Sequence, residues 1–182
     1  MKETHAFALF PGGFGTMDET FEVLTLMQTG KARVIPVVLL DRPNGTYWET
    51  WMKFLTEHLF KFGFVSPDDF HLFKIVHNVD EAVAEILQFY QNFHSYRWVG
   101  SEMVIRLERS ISAQAIEELN HDFADLVARQ PLHAGKPLRQ ERDEPELSRL
   151  PRLICGPNRR NFGRMRQLID AINGAELAEE MK

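Results

Sequence analysis

Pro11-Gly12-Gly13-Phe14-Gly15-Thr16 joins an apolar run, Ala6-Phe7-Ala8-Leu9-Phe10, to a segment with helical periodicity, Phe21-Glu22-Val23-Leu24-Thr25-Leu26-Met27. A strand that turns through three glycines into a helix permits few local structures. The glycines keep side chains away from the backbone, and a helix start carries unpaired N–H groups at the positive end of its dipole. Together they form an anion cradle whose natural guest is a phosphate, bare or carried by a nucleotide. Gly12, Gly13 and Gly15 fit the backbone role, and Thr16 adds a hydroxyl. No lysine follows the last glycine and the spacing is not G-x-G-x-x-G, so neither a triphosphatase nor a hydride-transfer enzyme is supported.

The rest of the first half repeats the alternation. Residues 5–10 read as a buried strand, and Thr16 caps a helix that runs to about Thr29 and ends at Gly30. Val34 to Leu40 is a second strand rich in β-branched residues, and Asp41 to Gly45 a turn. Tyr47 to Phe62 is a helix closed by Gly63, Leu72 to Val76 a third strand, and Val79 to Phe93 a third helix with Asp80 near its start. Near-continuous apolar strands alternating with helices predict an α/β fold: a partial Rossmann-like parallel sheet with helices on both faces and right-handed crossovers.

The pattern changes between residues 95 and 101, which divides the chain into residues 1–95 and a small α+β module over residues 96–182. In the module, Met103 to Leu107 alternates as a half-exposed strand does. Ser112 opens a helix to about Ala128 with an apolar stripe of Ile116, Leu119, Phe123 and Leu126. Residues 130–149 read as a mobile loop. Arg152 to Cys155 is a short strand and Arg160 to Ile172 the last helix.

The 44% hydrophobic content of the 182 residues suffices for a core, and the net charge of -5 gives no electrostatic support for nucleic-acid binding. Cys155 is the one cysteine, so no internal disulfide forms, and a reducing cytoplasm is the expected compartment. No apolar run approaches the roughly 18 residues of a membrane span. The seven histidines, among them His58, His71 and His77, show no metal spacing. Cys155 reads as a core thiol, Trp48 and Trp51 as packing or interface residues, and Arg159-Arg160 as a solvated pair.

Glu19 has two readings. Thr16-Met17-Asp18-Glu19 matches a capping box, in which Glu19 bonds back to the Thr16 N–H. The alternative is that an acid beside a phosphate site faces a ribose, with Glu22 one turn on lining the same side.

Pro11-Gly12-Gly13-Phe14-Gly15-Thr16-Met17-Asp18-Glu19 resembles the P-G-G-x-G-T-x-x-E signature of the LOG ("lonely guy") family, whose members were long labelled "possible lysine decarboxylase". Glu22-Val23-Leu24-Thr25, Gln28, Gly30, the Val34–Leu40 strand, the Tyr47–Leu59 helix and Gly63-Phe64-Val65 extend the likeness over roughly residues 4–90. The resemblance implies hydrolysis of the N-glycosidic bond of a nucleoside 5′-monophosphate, a cytokinin riboside monophosphate or AMP, to the free base and ribose 5-phosphate. It assigns the 5′-phosphate to Gly12, Gly13, Gly15 and Thr16 and the catalytic role to Glu19. It implies no metal or cofactor, and a homodimer.

The family carries an R-K-x-x-M segment, whose arginine partners the motif glutamate, before the strand that leads into P-G-G. This sequence begins after that point. The expectation is therefore the C-terminal half of a LOG-like domain within a longer parent, with a non-catalytic nucleotide-binding or regulatory module as the alternative. The decarboxylase label predicts a pyridoxal-phosphate lysine, and no lysine here has a recognisable setting for one.

Overall fold

The computed structural model describes residues 4–127 and 129–179. The opening Met1, Lys2 and Glu3, and Ala128 at the predicted end of the Ser112 helix, lie outside the described residues. The chain divides into two compact units, Met1–Phe89 with Arg159–Gln167, and Tyr90–Asn158 with Leu168–Lys182.

The first unit is built on a parallel sheet of three strands, β1 (Phe7–Leu9), β2 (Val37–Leu40) and β3 (Lys74–Val76), in the order β1-β2-β3. Leu9 lies opposite Leu39, and Leu40 opposite Val76, so all three strands end at one level. Helix α1 (Phe14–Gln28) links β1 to β2, α2 (Tyr47–Phe54) begins the return to β3, and α3 (Val79–Phe89) follows β3.

Both faces of β2 are buried, which is why its sequence is continuously apolar. Val37 and Leu39 pack with Val23 and Met27 of α1 and with Trp48 and Trp51 of α2. Val38 and Leu40 pack on the other side with Val76 and with Ala82 and Ile86 of α3. The parallel sheet flanked by helices is the α/β arrangement the alternation predicts. Trp48 and Trp51 are core residues, edge to face with ring centroids 5.7 Å apart.

Three local expectations need correction. Residues 5–10 are not a buried strand: β1 is shorter and only half-buried, because among the described residues it pairs with β2 alone. The Tyr47–Phe62 helix is α-helical only to Phe54, and Leu55–Phe60 continues as a π-helix. There the Lys61 N–H donates to the Thr56 carbonyl at 3.1 Å and the Phe64 N–H to the Leu59 carbonyl at 2.9 Å, each five residues back. Gly63 then closes the segment at φ +75°, as predicted. The third strand begins at Lys74: Leu72 ends a 3-10 turn over Pro67–Leu72, and Phe73 links the two.

The second unit is an antiparallel sheet of β4 (Phe93–Val99), β5 (Glu102–Leu107), β6 (His133–Gly135) and β7 (Arg152–Cys155), ordered β4-β5-β7-β6. Helices α4 (Ala113–Asp122) and α5 (Ala124–Val127) precede β6, and α6 (Phe162–Gly174) belongs to this unit from Leu168 onward. Ser112 caps α4 as expected, its hydroxyl accepting from the Ala115 N–H at 3.0 Å. The sequence extends α3 to Phe93, but the helix ends at Phe89 and Phe93 opens β4. Met103 to Leu107 is not half-exposed: every residue is buried, and the charged one, Arg106, is buried against Glu141.

Residues 130–149 contain β6 and two 3-10 turns, Arg139–Glu141 and Pro145–Leu147. Glu141 is buried and receives Arg106 at 2.8 Å and Arg152 at 3.4 Å, while Glu144 receives Arg106 at 2.5 Å and Arg97 at 2.9 Å. Arg97 also pairs with Asp143 at 2.6 Å. Burial works to raise the Glu141 carboxyl, but bonds from the Leu138 N–H, Arg106 and Arg152 outweigh it and hold it below the usual range. Arg106 lowers Glu144, and Arg97 lowers Asp143.

Stability gained from a lowered carboxyl is complete above its unfolded value and is lost as pH falls through the folded one. The thermal midpoint is therefore expected to be flat from about pH 8 to about pH 6, and to decline below the ordinary glutamate value of 4.5. Glu141→Gln leaves two buried arginines under-compensated and is expected to cost about 3 kcal/mol in urea denaturation at neutral pH.

Candidate functional site

Helix α1 starts at Phe14 with Gly13 as its N-cap, and no side chain caps it. The Met17 N–H donates to the Gly13 carbonyl at 3.3 Å and closes the first turn. Thr16, expected to cap the helix, is instead its third residue. Glycine at the cap lets the backbone enter the helix three residues earlier than a threonine cap predicts. Glu19 is then the sixth helical residue and lies too far from the cap for the capping box, so that reading is overturned. Its side chain is exposed.

The first-turn N–H groups of Phe14, Gly15 and Thr16 have no acceptor within the helix, and they stand at the carboxyl end of β1. Gly12 has a steric reason to be glycine: a Cβ there would lie 2.1 Å from Thr16 Oγ1. A Cβ at Gly13 or Gly15 would meet nothing within 4 Å, so the space before the helix is open. The Thr16 carbonyl accepts from the Thr20 hydroxyl at 2.6 Å, which fixes the first turn from below.

The residue that organises the neighbouring strand end is Asp41, read from sequence only as part of a turn. It follows β2 directly and is buried. Its own N–H donates to the Val76 carbonyl at 2.9 Å, which ties the end of β2 to the end of β3. Its carboxylate accepts from the N–H groups of Arg42 at 2.8 Å, Tyr47 at 2.9 Å and Trp48 at 3.4 Å, so it caps α2 from outside the helix. Gly45 makes room for it, since a Cβ there would fall 2.0 Å from Asp41 Oδ1. The Tyr47 hydroxyl in turn donates to the Gly12 carbonyl at 2.7 Å. The buried Gly45, four residues after an acid at a strand end, was the available sequence signal for this bracket.

Two of the concavities on this unit border the strand ends and α1. A crevice of about 1000 Å³ spans the carboxyl ends of the strands, with Phe10, Pro11 and Met17 on one wall, Tyr47, Trp51 and Phe54 on another, and His77 beyond β3. The carboxyl ends of a parallel sheet are where open α/β sheets bind ligands. A groove of about 690 Å³ runs beside β1 and α1, and Glu19 and Glu22 line it with Phe7, Lys31 and Arg33. Glu19 and Glu22 thus share one side of α1, as their spacing predicts, but they do not line the crevice. Gly12 and Gly13 lead into α1 and Gly15 and Thr16 lie in its first turn, next to crevice residues Pro11 and Met17.

Of the other candidates, His77 and Trp51 line the crevice, and the rest fall outside both concavities. Cys155 is fully buried in β7, and burial pushes its thiol up to about 12, which makes it unreactive at neutral pH. His58 is exposed, its ring 5.5 Å from that of Phe54. Arg159 and Arg160 are exposed. Among the described residues, no three of His, Cys, Asp and Glu group as a metal site, and no helix is long and apolar enough to cross a membrane.

Residues 1–86 match the protein-family model described as "possible lysine decarboxylase". No curated protein matches the chain. The matched segment holds the glycine turn, Glu19, Asp41 and all three parallel strands.

Asp41→Ala removes the acceptor of three backbone N–H groups, two of them at a helix start. It is expected to destabilise the chain by about 1–3 kcal/mol in urea denaturation. Asp41→Asn, which keeps an oxygen acceptor, is expected to lose less than half as much.

Proposed function

Residues 1–86 belong to the LOG, or "possible lysine decarboxylase", family, and on that premise we propose that the first unit binds a nucleoside 5′-monophosphate and hydrolyses its N-glycosidic bond. The observation that carries this reading is the position of Glu19. It lies on the second turn of the helix whose start forms the anion cradle, exposed and with no capping duty.

In this reading the N–H groups of the first turn and the Thr16 hydroxyl hold the 5′-phosphate. That binding positions the ribose against α1. The bond from C1′ to the base nitrogen breaks, and its electron pair leaves with the base, which takes up a proton. Water supplies the new oxygen at C1′, giving ribose 5-phosphate. The Glu19 carboxylate stabilises the oxocarbenium-like transition state or orients the water. AMP and cytokinin riboside monophosphates are the substrates to test first.

One observation favours a second reading, a nucleotide-binding module without catalysis: Glu19 opens onto the groove beside β1 and not onto the crevice at the strand ends. The full-length protein incubated with AMP is expected to release ribose 5-phosphate, measured by chromatography. Glu19→Gln is expected to lower turnover by about 10²–10⁴-fold while AMP affinity stays within a few-fold. AMP binding without ribose 5-phosphate would establish the second reading, and no binding would remove both.

A homodimer in the cytoplasm is part of the proposal. Phe54, Phe60, Phe62 and Phe64 leave an exposed apolar surface along α2 and the segment that follows it. Sedimentation equilibrium is expected to give twice the chain mass at micromolar concentration, and a monomer would count against the dimer.

A further inference from the structure

We infer that Tyr47 is a positioning residue for the anion cradle, acting through the carbonyl of Gly12; the inference rests on the nucleotide-binding reading above. Four observations meet at this point. The Tyr47 hydroxyl donates to the Gly12 carbonyl at 2.7 Å, across 35 residues of sequence. The Tyr47 N–H is itself held by the buried Asp41 carboxylate at 2.9 Å. The tyrosine ring stands edge-on to Trp48, 4.9 Å between centroids at 87°, and Trp48 is fully buried. Gly12 sits under Thr16, where no side chain fits.

The consequence follows from peptide geometry. A trans peptide holds its C=O and N–H antiparallel, so anchoring the Gly12 carbonyl also fixes the direction of the Gly13 N–H. Glycines on both sides of that peptide leave it otherwise free to rotate. A Gly12 carbonyl that swung into the open space before α1 would put the negative end of its dipole where an anion binds. The tyrosine hydroxyl prevents this, and it is anchored through its own backbone to the end of β2. Tyr47 also lines the crevice, so the brace lies beside the ligand's path without supplying a reacting group.

The test is Tyr47→Phe, which removes the hydroxyl alone and keeps the ring against Trp48. Inorganic phosphate, AMP and adenosine are titrated calorimetrically into the wild-type and variant chains, and amide hydrogen exchange is followed without ligand. The variant is expected to bind phosphate and AMP about three- to tenfold more weakly, the loss of one hydrogen bond. Adenosine affinity and the thermal midpoint are expected to be unchanged, and exchange at Gly13 and Gly15 to accelerate while β2 stays protected. Equal phosphate affinity with equal exchange at Gly13 and Gly15 would overturn the inference. So would an equal loss for adenosine, which marks a general disturbance of the site. A wild-type chain that takes neither phosphate nor AMP defeats the nucleotide reading, and exchange at Gly13 then decides the role of Tyr47 by itself.

Discussion

The Asp41 carboxylate accepts from three backbone N–H groups at the point where β2 ends and α2 is about to begin. Such a group works only if the fold leaves room for it and matches it with donors, since an unmatched carboxylate at that depth is costly. The surrounding chain meets those conditions: Gly45 leaves the space, the Val76 carbonyl holds the Asp41 backbone, and the start of α2 presents donors at its positive end. From there the order extends outward. Tyr47 is set by Asp41, Gly12 by Tyr47, and the glycine turn is thereby referred to the ends of β2 and β3 as well as to β1. The glycine turn is a loop by sequence, but its placement comes from the sheet.

Much of the first unit was legible because its signals were local. Val34 to Leu40 reads as a buried strand, since nothing in it alternates; its last four residues form β2, and packing on α1 and α2 and on α3 is the physical counterpart. The start of α1 was misread for a reason of the same scale. Thr16 is a good cap, yet the glycines before it let the helix begin earlier, and that shift frees Glu19 from the capping box. Asp41 was not legible, because its role depends on Gly45, Tyr47 and Val76 converging in space. The second unit was harder. Its sheet runs β4-β5-β7-β6, so what decides whether β5 is covered is its pairing with Arg152–Cys155, distant in sequence. Residues 130–149 read as a mobile loop from their composition, and the burial of Glu141 between Arg106 and Arg152 emerges only from the fold.

On the proposed reading, binding and chemistry fall on different sides of α1. The helix start, with its open N–H groups, faces the carboxyl ends of the strands, and one turn later Glu19 and Glu22 face the groove beside β1. A ligand held at the first by its phosphate meets the second only if it extends around the helix. The distance is short, about 1.5 Å of rise per helical residue, so a ribose attached to a phosphate is of the right size to connect them.

The π-helical stretch Leu55–Phe60 has a consequence of another kind. Stepping five residues per hydrogen bond where an α-helix steps four lets a helix take in one more residue while its two ends keep their anchors. Trp48 and Trp51 stay in the core upstream, and Leu72 and Phe73 rejoin it downstream. The stretch therefore decouples chain length from strand register, making this the place in the first unit where an insertion or deletion of a single residue is absorbed as a change of helix type instead of a shift in the sheet.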